Sequence, residues 1–151
     1  MDEKLLYSRE SYRLRGMMYS VRNQLKLGWS EEVYHQAMVH LAEQNRVPIL
    51  SKPKTILTHR GVQVHAFEPD IIAWDKIILE LKALPYTQDF LYEHYAQLIH
   101  YLKFFQKRLG FLVNFATPEL QIKRVIWAEP PLEISQDFSI LHPQHFVQLR
   151  A

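Results

Sequence analysis

The sequence predicts an α/β (α+β) fold, a mixed central β-sheet flanked by helices, and three observations predict it. Residues 5–25 carry apolar residues at helical spacing, and Ser30 followed by Glu31 and Glu32 marks the start of a second helix over about 31–46. Residues 49–84 switch to β-branched, alternating residues. A third helical pattern over 88–108 separates that stretch from two short strands near 111–116 and 122–128, giving the order ααβββαββ.

In the first helix, Leu14, Met17, Met18, Val21 and Leu25 form one stripe with no proline, and Gly28 stops or turns the chain. Ser30 suits an N-cap, and Glu31 and Glu32 follow in the first turn, where the helix dipole favours carboxylates. Pro48 marks the end of this second helix. Ile56, Val62, Val64, Ile71, Ile72, Ile77 and Ile78, with breaks at 59–61 and 74–76, read as a three-stranded meander. The third helix has Leu91, Tyr95, Leu98, Leu102 and Phe105 as its stripe, and Lys107 and Arg108 suit its C-terminal end before Gly110. The tail after Pro130 and Pro131 carries Phe138, Ile140, Leu141, Phe146 and Val147 and reads as an ordered wrap or short elements.

The length of 151 residues fits one domain, 1–151, with an extra C-terminal segment from about 129 to 151. A hydrophobic share of 48% with only 4 glycines indicates a packed core and not a disordered chain. A net charge of +2 means that attraction to nucleic acid requires a local patch, for which Lys52, Lys54, Arg60, Lys103, Lys107 and Arg108 are candidates. The absence of cysteine excludes disulfides, thiolate metal sites and thiol nucleophiles. The chain opens Met-Asp-Glu-Lys and has no apolar run near the roughly 18 residues of a membrane span, so the expectation is a soluble, cytoplasmic protein with no membrane partner.

The chemistry concentrates in the strand 77–84, apolar nearly throughout yet carrying Glu80 and Lys82 on one face. A buried carboxylate is costly, so the two must pair with each other, sit in a cleft, or face a metal. Asp70 lies one hairpin upstream. If 74–76 is a three-residue loop, 73 faces 77 and 70 faces 80, placing two carboxylates side by side. Such a pair is destabilising unless a cation lies between, and oxygen-only ligands favour Mg²⁺ or Mn²⁺. A loop one residue longer or shorter would separate them.

The pattern Pro69-Asp70 with Glu80-x-Lys82 resembles the PD-(D/E)XK nuclease superfamily. Gly28, Glu31 and Tyr34 resemble the GxxExxY signature of a small single-domain family within it. Gln97, Leu98, Tyr101 and Leu102 are similar to that family's QLxxYL helix, and Gly110, Leu112, Asn114 and Phe115 to its GxLxNF strand. The resemblance spans about residues 14–127. The family often has Gly-x-Gly before the first glutamate, whereas Lys26 stands at the first of those glycines.

The resemblance implies a restriction-endonuclease-like core and a Mg²⁺-dependent nuclease acting on nucleic acid, with DNA the expected substrate. It implies that Asp70, Glu80 and the main-chain carbonyl of Leu81 bind the metal, with Glu31 completing the site. Lys82 would orient or help deprotonate the attacking water. Gln97 would bond the nucleophile or a phosphate, supported by Tyr101. Helix capping is the alternative role for Glu31, a structural hydrogen bond for Gln97 and Tyr101, and packing for Tyr34. At the level of the protein, the alternative is a catalytically inactive nucleic-acid-binding or assembly module on the same fold, able to act as a homodimer. A third reading makes the tail a docking element built on Trp127, Phe138 and Phe146. His94 with His100, and His142 with His145, do not match zinc spacings.

Overall fold

The computed structural model describes residues 6–85, 89–128, 133–141 and 148–149. Helices α1 (Ser8–Leu25) and α2 (Glu31–Gln44) pack on each other; α1 buries Leu14, Met17, Met18 and Val21 of its expected stripe, and α2 buries Tyr34, Met38 and Ala42. Ser30 occupies the N-cap position, but its hydroxyl makes no capping bond; its carbonyl accepts the amides of Val33 and Tyr34 instead. Lys26, at the end of α1, adopts φ 63° and ψ −160°, a region that only glycine enters without strain.

The strands are β1 (Ile49–Ser51), β2 (Thr55–His59), β3 (Val62–Phe67), β4 (Ile71–Ala73) and β5 (Ile77–Lys82), then helix α3 (Tyr92–Phe105), β6 (Leu109–Asn114), β7 (Gln121–Ile126), β8 (Phe138–Leu141) and β9 (Gln148–Leu149). The main sheet is mixed, in the order β7-β6-β5-β4-β1-β9, with β5 and β6 parallel and α3 the crossover between them. A second sheet has the order β3-β2-β8.

The fold class is therefore the expected one, but the meander is not. Residues 49–84 form five strands in two sheets, because prolines interrupt both of the long runs. Pro53 follows β1 and Pro69 precedes β4, and a proline cannot donate to a ladder. The hairpin β2–β3, turning through Arg60 and Gly61 at positive φ, is thereby lifted out of the main sheet, and β1 pairs directly with β4. The tail supplies β8 to the hairpin and β9 to the edge of the main sheet; Phe146 and Val147 lie outside the described residues.

The main sheet divides two cores. Ile71, Ile77, Leu79, Leu81, Phe111 and Val113 face α1 and α2, while Ile72, Ile78 and Leu112 face Leu98 and Leu102 of α3. Burial on both faces explains the continuous apolar run of β5. In α3, Phe104 is the more buried of the terminal aromatics, and Phe105 only borders the core. Gly110 lets α3 approach, since a Cβ there would meet Leu98 Cδ1 at 2.8 Å. Among the described residues, no helix is long and apolar enough to cross a membrane.

Candidate active site

The β4–β5 connection is the three-residue loop on which the juxtaposition of the acids depends. Trp74 and Asp75 both have positive φ, and the Lys76 amide donates to Ala73 O at 2.9 Å. The register Ala73↔Ile77, Ile72↔Ile78, Ile71↔Leu79 then carries Asp70 opposite Glu80. Their side chains exchange backbone bonds across the two strands. The Asp70 amide donates to Glu80 Oε1 at 2.8 Å, and the Leu81 amide donates to Asp70 Oδ2 at 2.7 Å. The Lys52 amide holds Asp70 from behind by donating to its carbonyl at 2.8 Å.

The pair is electrostatically expensive. Glu80 is 3% exposed, and burial, reinforced by the Asp70 charge, pushes its pKa up to about 8, against the Asp70 amide and Lys82. Burial also raises Asp70, although the Leu81 amide, His35, Lys82 and Lys52 all oppose that shift. Glu80 and Lys82 do not form the ion pair considered for them. Glu80 turns to the Asp70 amide, while Lys82 Nζ reaches Gln97 Oε1 at 3.5 Å.

That contact opens a chain of long bonds. Gln97 Nε2 donates to Tyr101 Oη at 3.3 Å, which donates to Glu68 O at 3.3 Å. Burial, with Glu80 and Asp70 nearby, pushes the Tyr101 pKa up to about 12, so its hydroxyl stays protonated. Asp70, Glu80, Lys82, Gln97 and Tyr101 are thus assembled in one place. Glu31 arrives from the first turn of α2. Burial of its carboxyl raises its pKa first and the Asp70 charge second, while Lys82 and Lys52 lower it. It lies within electrostatic range of Asp70, yet no three acids or histidines among the described residues converge tightly enough to hold one ion.

A divalent ion fits the Asp70–Glu80 pair. One oxygen of each carboxyl group is engaged by an amide, and the two acids are held side by side, where burial and each other's proximity make joint ionisation costly without a cation. Two carboxylates and waters are a donor set suited to Mg²⁺.

Two residues to which the sequence assigned no role support this arrangement. His35 is buried, one helical turn from Glu31, and its Nε2 bonds Ser51 Oγ at 2.8 Å, tying α2 to β1 beside Asp70. The i, i+4 spacing from Glu31 was the available signal. Asn114, quoted as a motif position but given no role, donates to Leu84 O at 3.0 Å and accepts the Leu84 amide at 2.9 Å, fixing the chain that leaves Lys82. Tyr34 is a packing residue, fully buried and stacked on Phe115 at 4.8 Å, with its hydroxyl on Lys26 O at 2.6 Å. His94 accepts the Leu91 amide at the start of α3 through Nδ1. Among the basic residues considered as a patch, Lys52, Arg60 and Lys107 are paired with Glu32, Asp137 and Asp75. Trp127 packs on the α3 core and Phe138 lies against His59, so both are used internally; Phe146 lies outside the described residues.

An aspartate entering one strand, a Glu-x-Lys on its antiparallel neighbour and a helix crossing to a parallel third strand define a restriction-endonuclease-like protein. The sequence profile of the PD-(D/E)XK nuclease superfamily matches residues 8–125, and the chain belongs to that superfamily. Among solved structures, the crystal structure of SSO0001 is similar in fold, with a TM-score of 0.51 and 22% identity over 68% of this chain and 50% of that one. The chain therefore spans half the length of that protein. No curated protein matches the sequence.

Proposed function

We propose that the protein is a divalent-metal-dependent nuclease of the GxxExxY family that hydrolyses phosphodiester bonds in DNA. The observation that supports this best is the reciprocal clasp of Asp70 and Glu80, two raised-pKa carboxylates side by side at a strand pair, with Lys82 near both. A fold does not need such a pair, which costs stability unless a cation neutralises it.

Asp70 and Glu80, with the Leu81 carbonyl and Glu31 completing the set, would hold Mg²⁺ or Mn²⁺. Bound there, the ion would acidify a water and offset charge on the scissile phosphate. Lys82 orients the attacking water and stabilises negative charge as the P–O bond breaks, so that one product end keeps the phosphate and the other takes a hydroxyl. Gln97 orients Lys82 through Oε1, and the protonated Tyr101 anchors Gln97 to the main chain at Glu68.

Purified protein with Mg²⁺ or Mn²⁺ is expected to cut linear, circular or single-stranded DNA. Lys82→Ala should lower the rate by at least about 100-fold at an unchanged melting temperature. Cleavage that survives Lys82→Ala, or that disappears only because the variant unfolds, would overturn the mechanism.

A further inference from the structure

A groove of about 300 Å³ runs between β3 and the N-terminal half of α3. His65 and Phe67 form one wall; Tyr92, Glu93, Ala96, Gln97, His100 and Tyr101 of α3 form the other. Gln97 and Tyr101 thus belong both to this groove and to the chain of bonds leading to Lys82. Whatever occupies the groove touches the two side chains that lead to Lys82.

The lining is aromatic and arranged for stacking. Phe67 is immobilised on its inner face by Phe104, at 3.9 Å and 12° between planes, and His65 meets its edge at 4.5 Å. Tyr92 is 86% exposed, an aromatic ring left in water at the mouth of the groove, and no ring among the described residues packs against it. Aromatic side chains displayed beside a backbone-binding site are the usual platform for unpaired bases, because every base has a stacking face. A paired base in a duplex is stacked on its neighbours and cannot enter.

We propose that this groove receives an unpaired nucleobase next to the scissile phosphate, stacked between Tyr92 and His65, so that the substrate is single-stranded or splayed nucleic acid. The assignment rests on the nuclease reading for the identity of the ligand, but base binding is measurable without cleavage.

The test uses the full chain without metal and oligothymidylates carrying a single 2-aminopurine at each position in turn. Fluorescence quenching at one position is expected on binding. Tyr92→Ala should weaken binding on the order of tenfold or more, and Tyr92→Trp should retain it. Replacing the 2-aminopurine nucleotide at that position by an abasic one should weaken binding to the wild type and leave the Tyr92→Ala affinity unchanged. Blunt duplex should bind both proteins equally. Equal losses on single strand and duplex, or no penalty for the abasic site, would overturn the proposal; His65→Ala provides a second, independent variant. Base-dependent binding without metal-stimulated cleavage would sink the nuclease reading alone, whereas cleavage without base dependence would sink this one alone.

Discussion

The two halves of the candidate site are held very differently. The acidic half is clamped by backbone bonds of 2.7 and 2.8 Å between adjacent strands, while the half running through Lys82, Gln97 and Tyr101 is strung on side-chain contacts of 3.3 to 3.5 Å. Near 3.5 Å a hydrogen bond contributes little. The acids are thus fixed before any ligand arrives, and their electrostatic cost is stored in the fold, whereas the lysine and glutamine are free to tighten on a phosphate. Rigidity follows the backbone, and adaptability follows the long side chains of Lys82 on β5 and of Gln97 and Tyr101 on α3.

The sharpest way to break this contrast is Glu80→Gln. The amide keeps an acceptor for the Asp70 N–H but removes a charge, and loss of metal-stimulated cleavage by at least about 100-fold is expected in an endonuclease assay. The same variant should gain stability without metal. Folded Glu80 holds its proton up to a pH of about 8, whereas an ordinary carboxyl releases it near 4.5. Between those values the folded state binds the extra proton, so the stability of the wild type should fall as pH rises, by at most about 1.4 kcal/mol per pH unit for this group. Asp70 shifts in the same direction. Melting temperatures measured without metal from pH 4.5 to 8 should show this slope in the wild type and a shallower one in Glu80→Gln; Mg²⁺ should recover stability most at the alkaline end. A flat wild-type profile would show that the acids are not strained.

Gly110→Ala should disturb the adaptable half alone. The added methyl meets the fully buried side chain of Leu98, next to Gln97, so Leu98 must repack on this face of α3, at a cost of about 1–3 kcal/mol. Cleavage at saturating substrate should fall while Mg²⁺ binding, read by calorimetry, stays unchanged. Smallest are the effects within the loose chain. Gln97→Ala, which removes a long contact to the lysine, should reduce kcat by about tenfold, and Tyr101→Phe by less, because its neutral hydrogen bond is worth only about 1 kcal/mol. A larger loss in Tyr101→Phe than in Gln97→Ala would reverse the assigned order of support.

Much of this was legible in the chain because it depends on short-range patterns. Helix α2 follows from the Ser30, Glu31 and Glu32 start signal, and the amphipathic stripes of α1 and α3 and the doubly buried β5 follow from periodicity. So does the 70–80 juxtaposition, once the loop is three residues long. Pro53 and Pro69 were visible too, but that they divide the 49–84 run between two sheets depends on what each strand finds to pair with: β8 for the hairpin, β4 for β1. The roles of His35 and Asn114 escaped for a related reason, since each acts on a segment far away in the chain, Ser51 and Leu84.

By itself the sequence determined the layered fold class, the acids and the lysine on one strand pair, and the helix face that carries Gln97 and Tyr101, because these are set by spacing along one or two elements. Only the tertiary structure decided that Glu80 bonds the Asp70 amide instead of Lys82, that Lys82 turns to Gln97, and that β3 and α3 enclose an aromatic groove beside them. Which partner a polar group takes depends on which segments the folded core brings within about 3 Å of it, a distance that no local pattern encodes.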